Sequence, residues 1–172
     1  VPTARANLVV PTAEAMRMLG ARLALLLRAG DLAVLTGDLG AGKTTLTQGI
    51  GTGLGVRDMI SSPTFVIARV HPSLVGGADL VHVDAYRLSS LAEVDELDLD
   101  ASLDRSVTVV EWGEGLVEDL APDRLEVLIR RPRGDADGGA DVAPTDGDEN
   151  RYVSISGFGP RWDGVSFPTS VG

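Results

Sequence analysis

An α/β fold, three layers deep, with a mainly parallel central sheet and antiparallel strands at the C-terminal end, is what this 172-residue chain predicts. Three observations predict it. Short apolar runs alternate with segments of helical spacing, the pattern of strands crossed over by helices. One run, Leu32-Ala33-Val34-Leu35-Thr36, leads through a glycine-rich turn into a helical stretch from Thr44 to Gly53. At the end of the chain, Leu125 to Arg131 and Arg151 to Ser156 read as a pair of strands forming an antiparallel appendage.

Taken in order, Thr12 is placed to cap a first helix, with Glu14 in its opening turn. Met16, Leu19, Leu23, Leu26 and Leu27 then recur on one face until Gly30 ends it. After the strand, turn and helix of residues 32–53, further strands are expected at Phe65 to Val70, Asp79 to Asp84 and Ser106 to Glu111, with a helix around Leu91 to Leu97. The segment from Pro132 to Asn150 holds six acidic residues against one arginine, so it has too little apolar surface to order itself and reads as a disordered acidic insertion. Arg130, Arg131 and Arg133 cluster beside it. No internal repeat is present.

The length suits one domain spanning 1–172. The longest apolar stretch, Leu23 to Leu27, is far too short to span a bilayer, and the first residues have no apolar run of the secretory type. No membrane association is expected. The chain has no cysteine, which excludes disulfides, zinc thiolates and thiol catalysis and fits a reducing compartment, with the cytoplasm expected. A formal charge of −10 opposes affinity for bare phosphate backbones, because that affinity comes from Lys and Arg displacing counterions.

The chemistry concentrates in Gly37-Asp38-Leu39-Gly40-Ala41-Gly42-Lys43-Thr44. Glycines let a backbone wrap closely around phosphates, whose charge its N–H groups and the positive end of the next helix then balance. Lys43 would sit against the β- and γ-phosphates, and the Thr44 hydroxyl would ligate Mg²⁺. A plain glycine-rich turn is the alternative, but the strand before and the helix after make the fold P-loop NTPase-like. Such a loop needs a carboxylate from another strand, because Mg²⁺ takes near-octahedral oxygen ligation. Asp84 and Glu111 both qualify by ending predicted strands, at the edge where ligands of a parallel sheet bind. They could instead be acids that merely terminate strands.

His82 shares a sheet face with Asp84 and is either a satisfied structural side chain or a base. Tyr86 and Arg87 follow. Arg87 could balance charge near a γ-phosphate or pair with a surface acid. Ser61 to Phe65 is a turn where P-loop hydrolases keep a segment that senses the γ-phosphate.

Four pieces together, Gly37 to Thr45, Ser62-Pro63-Thr64-Phe65, His82-Val83-Asp84-Ala85-Tyr86-Arg87-Leu88 and Glu111-Trp112-Gly113-Glu114, closely resemble the bacterial TsaE family, also called YjeE. The resemblance runs from about Thr12 to the Arg131 strand. It implies an ATPase that works with TsaB and TsaD in the threonylcarbamoylation of adenosine 37 in tRNAs reading codons that begin with A, with tRNA reached through the complex. Carried over by residue, it assigns ATP binding to Asp38, Leu39, Gly40, Ala41, Gly42, Lys43, Thr44 and Thr45, Mg²⁺ to Thr44 and Glu111, and a Walker B-like role to Asp84. Ser62 to Phe65 becomes a switch-like segment. Trp112 would pack on the nucleotide, or serve as plain core. The acidic insertion and the extension after Gly157 depart from the family pattern.

A small-molecule P-loop kinase is the alternative reading, but its arginine-rich lid has no counterpart between Leu88 and Glu111. A GTPase is disfavoured, since no Asn-Lys-x-Asp segment occurs. A switch that docks on partners in its ATP form, with slow turnover alone, shades into the favoured reading.

Overall fold

The computed structural model describes residues 1–38, 40–57, 68–84, 104–111, 122–132 and 150–171. Its centre is one seven-stranded sheet: β1 (Ala4–Val10), β2 (Leu32–Gly37), β3 (Ala68–His71), β4 (Asp79–Asp84), β5 (Ser106–Glu111), β6 (Arg124–Arg130) and β7 (Arg151–Phe158). Spatially the order is β1-β7-β6-β2-β5-β4-β3. The middle four, β6, β2, β5 and β4, run parallel, while β3, β7 and β1 pair antiparallel at the two ends. Burial follows from the sequence: β5 is buried at every position and β2 nearly so, as expected of near-continuous Val/Leu runs layered on both faces. β6, β7 and β1 alternate, with Leu125, Val127 and Ile129, Val153 and Ile155, and Ala6, Leu8 and Val10 turned into the core.

The predicted C-terminal pair is antiparallel, but it is no appendage. β6 joins the sheet directly beside β2 and runs parallel to it, from Ala33 opposite Leu125 to Gly37 opposite Ile129. β1 was not foreseen. Its inward residues include only one large side chain among alanine and valine, so its alternation is faint, and its edge position depends on β7 already being in place. Of the run expected at Phe65 to Val70, the described part is in strand, and residues 65–67 lie outside the described residues, as do the helix expected at 91–97 and nearly all of the acidic insertion.

Helix α1 (Ala13–Ala24) begins as predicted, with the Thr12 hydroxyl accepting the Ala15 N–H at 3.0 Å. It ends at Ala24, six residues before Gly30. The reason lies in Asp31, whose carboxylate accepts the Arg28 N–H at 2.8 Å and so removes a donor that another helical turn would use. Leu27 still reaches the core. Helix α2 (Lys43–Leu54) lies against α1 with Gly20 and Gly49 at the crossing. A Cβ on Gly49 would fall onto the Arg17 backbone, and one on Gly20 onto that of Leu46, so the backbones approach closer than side chains permit.

The extension after Gly157 is part of the core. Trp162, in a 3-10 turn at Pro160–Trp162, is fully buried and lies 5.7 Å from the Phe167 ring centroid. Arg161 forks onto Asp31 at 3.0 and 3.1 Å and donates to Leu26 O at 2.6 Å, tying this segment to the start of β2, at the sheet edge away from the glycine-rich loop.

Candidate nucleotide-binding site

β2 delivers the glycine-rich loop to the carboxyl edge of the parallel strands, and α2 starts directly from it. Gly37 is required where β2 meets β6, because a Cβ there would stand 2.6 Å from Ile129 O. Gly42, the residue before α2, has φ +115°, a conformation that side chains disfavour, and it lets the chain swing so that the helix N-terminus faces the loop. Asp38 and Gly40 are exposed, Ala41 is buried, and Thr45 is half-buried in the first turn of α2. Lys43 folds back over the loop, its ammonium donating to Gly37 O at 2.6 Å and Asp38 O at 3.0 Å. Burial pulls its pKa below the usual 10.5, while the carboxylates of Glu111, Asp38 and Asp84 pull it back up.

The acids come from the two neighbouring strands on one side. Parallel pairing sets Leu35 of β2 beside Glu111, and Glu111 beside Asp84 of β4. The Thr44 hydroxyl donates to Glu111 Oε1 at 3.1 Å. Glu111 is almost wholly buried, and Nε2 of the buried His82 stands 3.5 Å from the same oxygen, with no hydrogen-bond partner of its own among the described residues. A hydroxyl and a carboxylate at the mouth of a helix N-terminus are hard oxygen donors of the kind Mg²⁺ takes, so the residues present fit that ion. Among the described residues no three His, Asp or Glu side chains gather into a closed metal cage. Mg²⁺ commonly takes only one or two protein ligands and fills its shell with phosphate oxygens and water.

The other side of the loop is basic, and sequence reasoning missed its main member. Arg151, the first residue of β7, donates from Nε to Ala41 O at 3.0 Å and from Nη2 to Gly40 O at 3.5 Å. A guanidinium nitrogen of Arg131 stands 3.7 Å from where a Cβ on Gly40 would lie. Where β2 and β6 end opens a cleft of about 880 Å³ lined by Thr36, Asp38, Ile129, Arg131, Pro132 and Tyr152 among others. Arg131 stands out in sequence only as one of a cluster. Arg151 carries no local signal, because its partners are backbone carbonyls far away in the chain.

The structure therefore brings together Lys43, Thr44, Asp84 and Glu111, with Asp38, Gly40, Ala41, Gly42 and Thr45 around them. Leu39, Ser62 to Phe65, Tyr86, Arg87, Trp112 and Glu114 lie outside the described residues. Among the described residues no helix is long and apolar enough to cross a membrane.

Comparison with known proteins agrees with this architecture. The model of the family described as threonylcarbamoyl adenosine biosynthesis protein TsaE matches residues 10–137. The tRNA threonylcarbamoyladenosine biosynthesis protein TsaE of Streptomyces coelicolor is 62% identical over 148 residues, covering 86% of this chain and 93% of that protein. The protein of the same name from Bacillus subtilis is 35% identical over 78% of this chain and 74% of its own length. The crystal structure of Bacillus subtilis YdiB superposes with a TM-score of 0.67 at 26% identity, covering 93% of this chain and 90% of that one. A glycine-rich loop between β2 and α2, two acids on adjacent parallel strands and a family match across most of the chain lead to one conclusion: this chain belongs to the TsaE family.

Proposed function

We propose that the chain binds ATP with Mg²⁺ and hydrolyses it in concert with TsaB and TsaD, in the threonylcarbamoylation of adenosine 37 of tRNAs reading codons that begin with A. One observation carries the reading: the Thr44 hydroxyl and Glu111 carboxylate meet at 3.1 Å at the N-terminus of α2, with Asp84 beside Glu111 on the next strand. In this reading Gly40 to Thr45 wrap the phosphates, with Asp38 and Leu39 at the entrance of the loop. The Lys43 ammonium exchanges its two carbonyl partners for β- and γ-phosphate oxygens. Thr44 and Glu111 hold the ion, which when bound neutralises charge on the phosphate oxygens. Asp84 orients a water for in-line attack on the γ-phosphorus, with Lys43 holding the oxygens that gain charge. Trp112 packs on the nucleotide in this reading.

The chain is read further as one cytoplasmic domain, 1–172, with 132–150 as a solvated insertion. The test is ATP turnover by the purified chain with Mg²⁺, alone and then with TsaB, TsaD and tRNA. Slow turnover alone and clear stimulation by the set are expected. Turnover indifferent to those partners but raised by a small hydroxylated metabolite would mark a kinase instead.

A further inference from the structure

We propose that Arg151 is a positioning residue for phosphate binding, orienting the Ala41–Gly42 peptide so that the Gly42 N–H faces the phosphates. This rests on the nucleotide-binding reading above. No cis peptide occurs in the described chain, so the Ala41 carbonyl and the Gly42 N–H point in opposite directions from one peptide plane. Arg151 Nε holds that carbonyl at 3.0 Å, and Nη2 reaches Gly40 O at 3.5 Å. The carbonyl is thereby fixed on the β7 side, and the N–H is aimed the other way, into the loop. Gly42 has φ +115° and, like any glycine, many accessible backbone states, so an external hold on its peptide matters more there than at an ordinary residue.

The geometry comes from the sheet. Arg151 follows the inward parity of Val153 and Ile155, which turns it to the buried face of β7, from which it reaches Ala41 just before α2. β7 pairs through Val10 on one side and is joined on the other to β6, which flanks β2 and hence the root of the loop. A guanidinium fork suits two carbonyls offered side by side; an ammonium keeps the charge but loses the fork. Arg151 touches loop backbone and no reacting atom, so its effect falls on affinity for the phosphates.

The experiment compares the full chain with Arg151→Gln and Arg151→Lys, measuring ATP·Mg²⁺ and ADP·Mg²⁺ affinity by calorimetry and the Gly42 amide resonance by NMR with and without ADP. Arg151→Gln is expected to weaken both nucleotides about tenfold and to shrink the ADP-induced shift of the Gly42 amide, with the ADP-free spectrum elsewhere unchanged. Arg151→Lys is expected to recover less than half of the loss on a logarithmic scale. Parent-like affinity and Gly42 shift in Arg151→Gln overturn the proposal. Full recovery by lysine overturns it too, since Arg151 would then act as a charge and not as a fork. Should Arg151→Gln fail to fold, Arg151→Lys with the same two readouts decides alone: a parent-like result overturns the orienting role, and weaker binding with a reduced shift supports it. A parent chain that binds no nucleotide would instead overturn the functional reading itself, an outcome separate from either of these.

Discussion

The two flanks of the glycine-rich loop are built on opposite principles. On the β5 side stand Glu111, Asp84 and His82, buried or half-buried on adjacent parallel strands, with Glu111 in hydrogen-bond reach of Thr44. On the β6 and β7 side stand Arg131, close to Gly40, and Arg151, which holds the loop through its backbone carbonyls. On the proposed function the acidic flank needs particular functional groups at particular strand ends, because a metal and a water have fixed chemical demands. The basic flank rests on a guanidinium fork aimed at two backbone carbonyls, and which strand brings it there is set by the pairing of the sheet. The groups proposed for the chemistry are thus written locally, and support for the loop is written in the tertiary fold.

Four substitutions and one titration can break or sharpen that contrast. Lys43→Ala should cost most, on the order of 1,000-fold in kcat/KM for ATP, since it removes the ammonium proposed to hold the β- and γ-phosphates. Unchanged ATP binding in this variant would remove the loop from the site. Asp84→Asn should lower turnover about 100-fold with ATP affinity nearly kept, measured as kcat against Kd. A fall in affinity alone would make Asp84 a binding residue. For Glu111→Gln, the Mg²⁺ concentration giving half-maximal turnover is expected to rise about tenfold, and an unshifted Mg²⁺ titration would take Glu111 out of the ion's shell. The tenfold loss expected of Arg151→Gln comes next, and it differs in kind by leaving the Mg²⁺ dependence of turnover alone.

The smallest effect is that of pH. Burial lowers the Lys43 pKa below 10.5 in the free chain, and phosphates beside it would raise it again. Binding therefore takes up a proton in the window between the lowered value and 10.5, and ATP affinity falls as pH rises through that window. Calorimetry in buffers of different ionisation enthalpy reads this uptake directly; proton release on binding would contradict it. The same shift acts on stability with the opposite trend. The unfolded chain binds more protons in that window, so the nucleotide-free parent should gain stability relative to Lys43→Met as pH rises.

Much of the acidic flank was legible because local patterns coincide with structural roles. Leu32 to Thr36, Asp79 to Asp84 and Ser106 to Glu111 are apolar runs ending at a loop or an acid, and they became β2, β4 and β5 with those ends on one edge. Thr12 capped α1 as its residue type suggests. The end of α1 was misjudged, since Gly30 is a sound stop signal but Asp31 captures the backbone earlier. The glycines Gly20 and Gly49 look like weak points of their helices, and their use as a crossing point exists only once the two helices meet. The extension after Gly157 departs from the family pattern, yet its Trp162 is fully buried, and the neighbouring Arg161 anchors it to Asp31, 130 residues away in the chain.

By itself the sequence determined the strand, the glycine-rich loop and the helix that follows it, the two acids beside that loop, and the family to which the chain belongs. Those features depend on residue type and short spacing, which the chain states directly. Only the tertiary structure decided that β6 lies beside β2, that β1 closes the far edge, and that Arg151 holds the loop. The first two are backbone pairings between distant segments, and backbone hydrogen bonds are the same for almost every residue type; the third is a side chain that reaches carbonyls 110 and 111 residues away in the chain. Nothing in a local stretch of sequence can announce them.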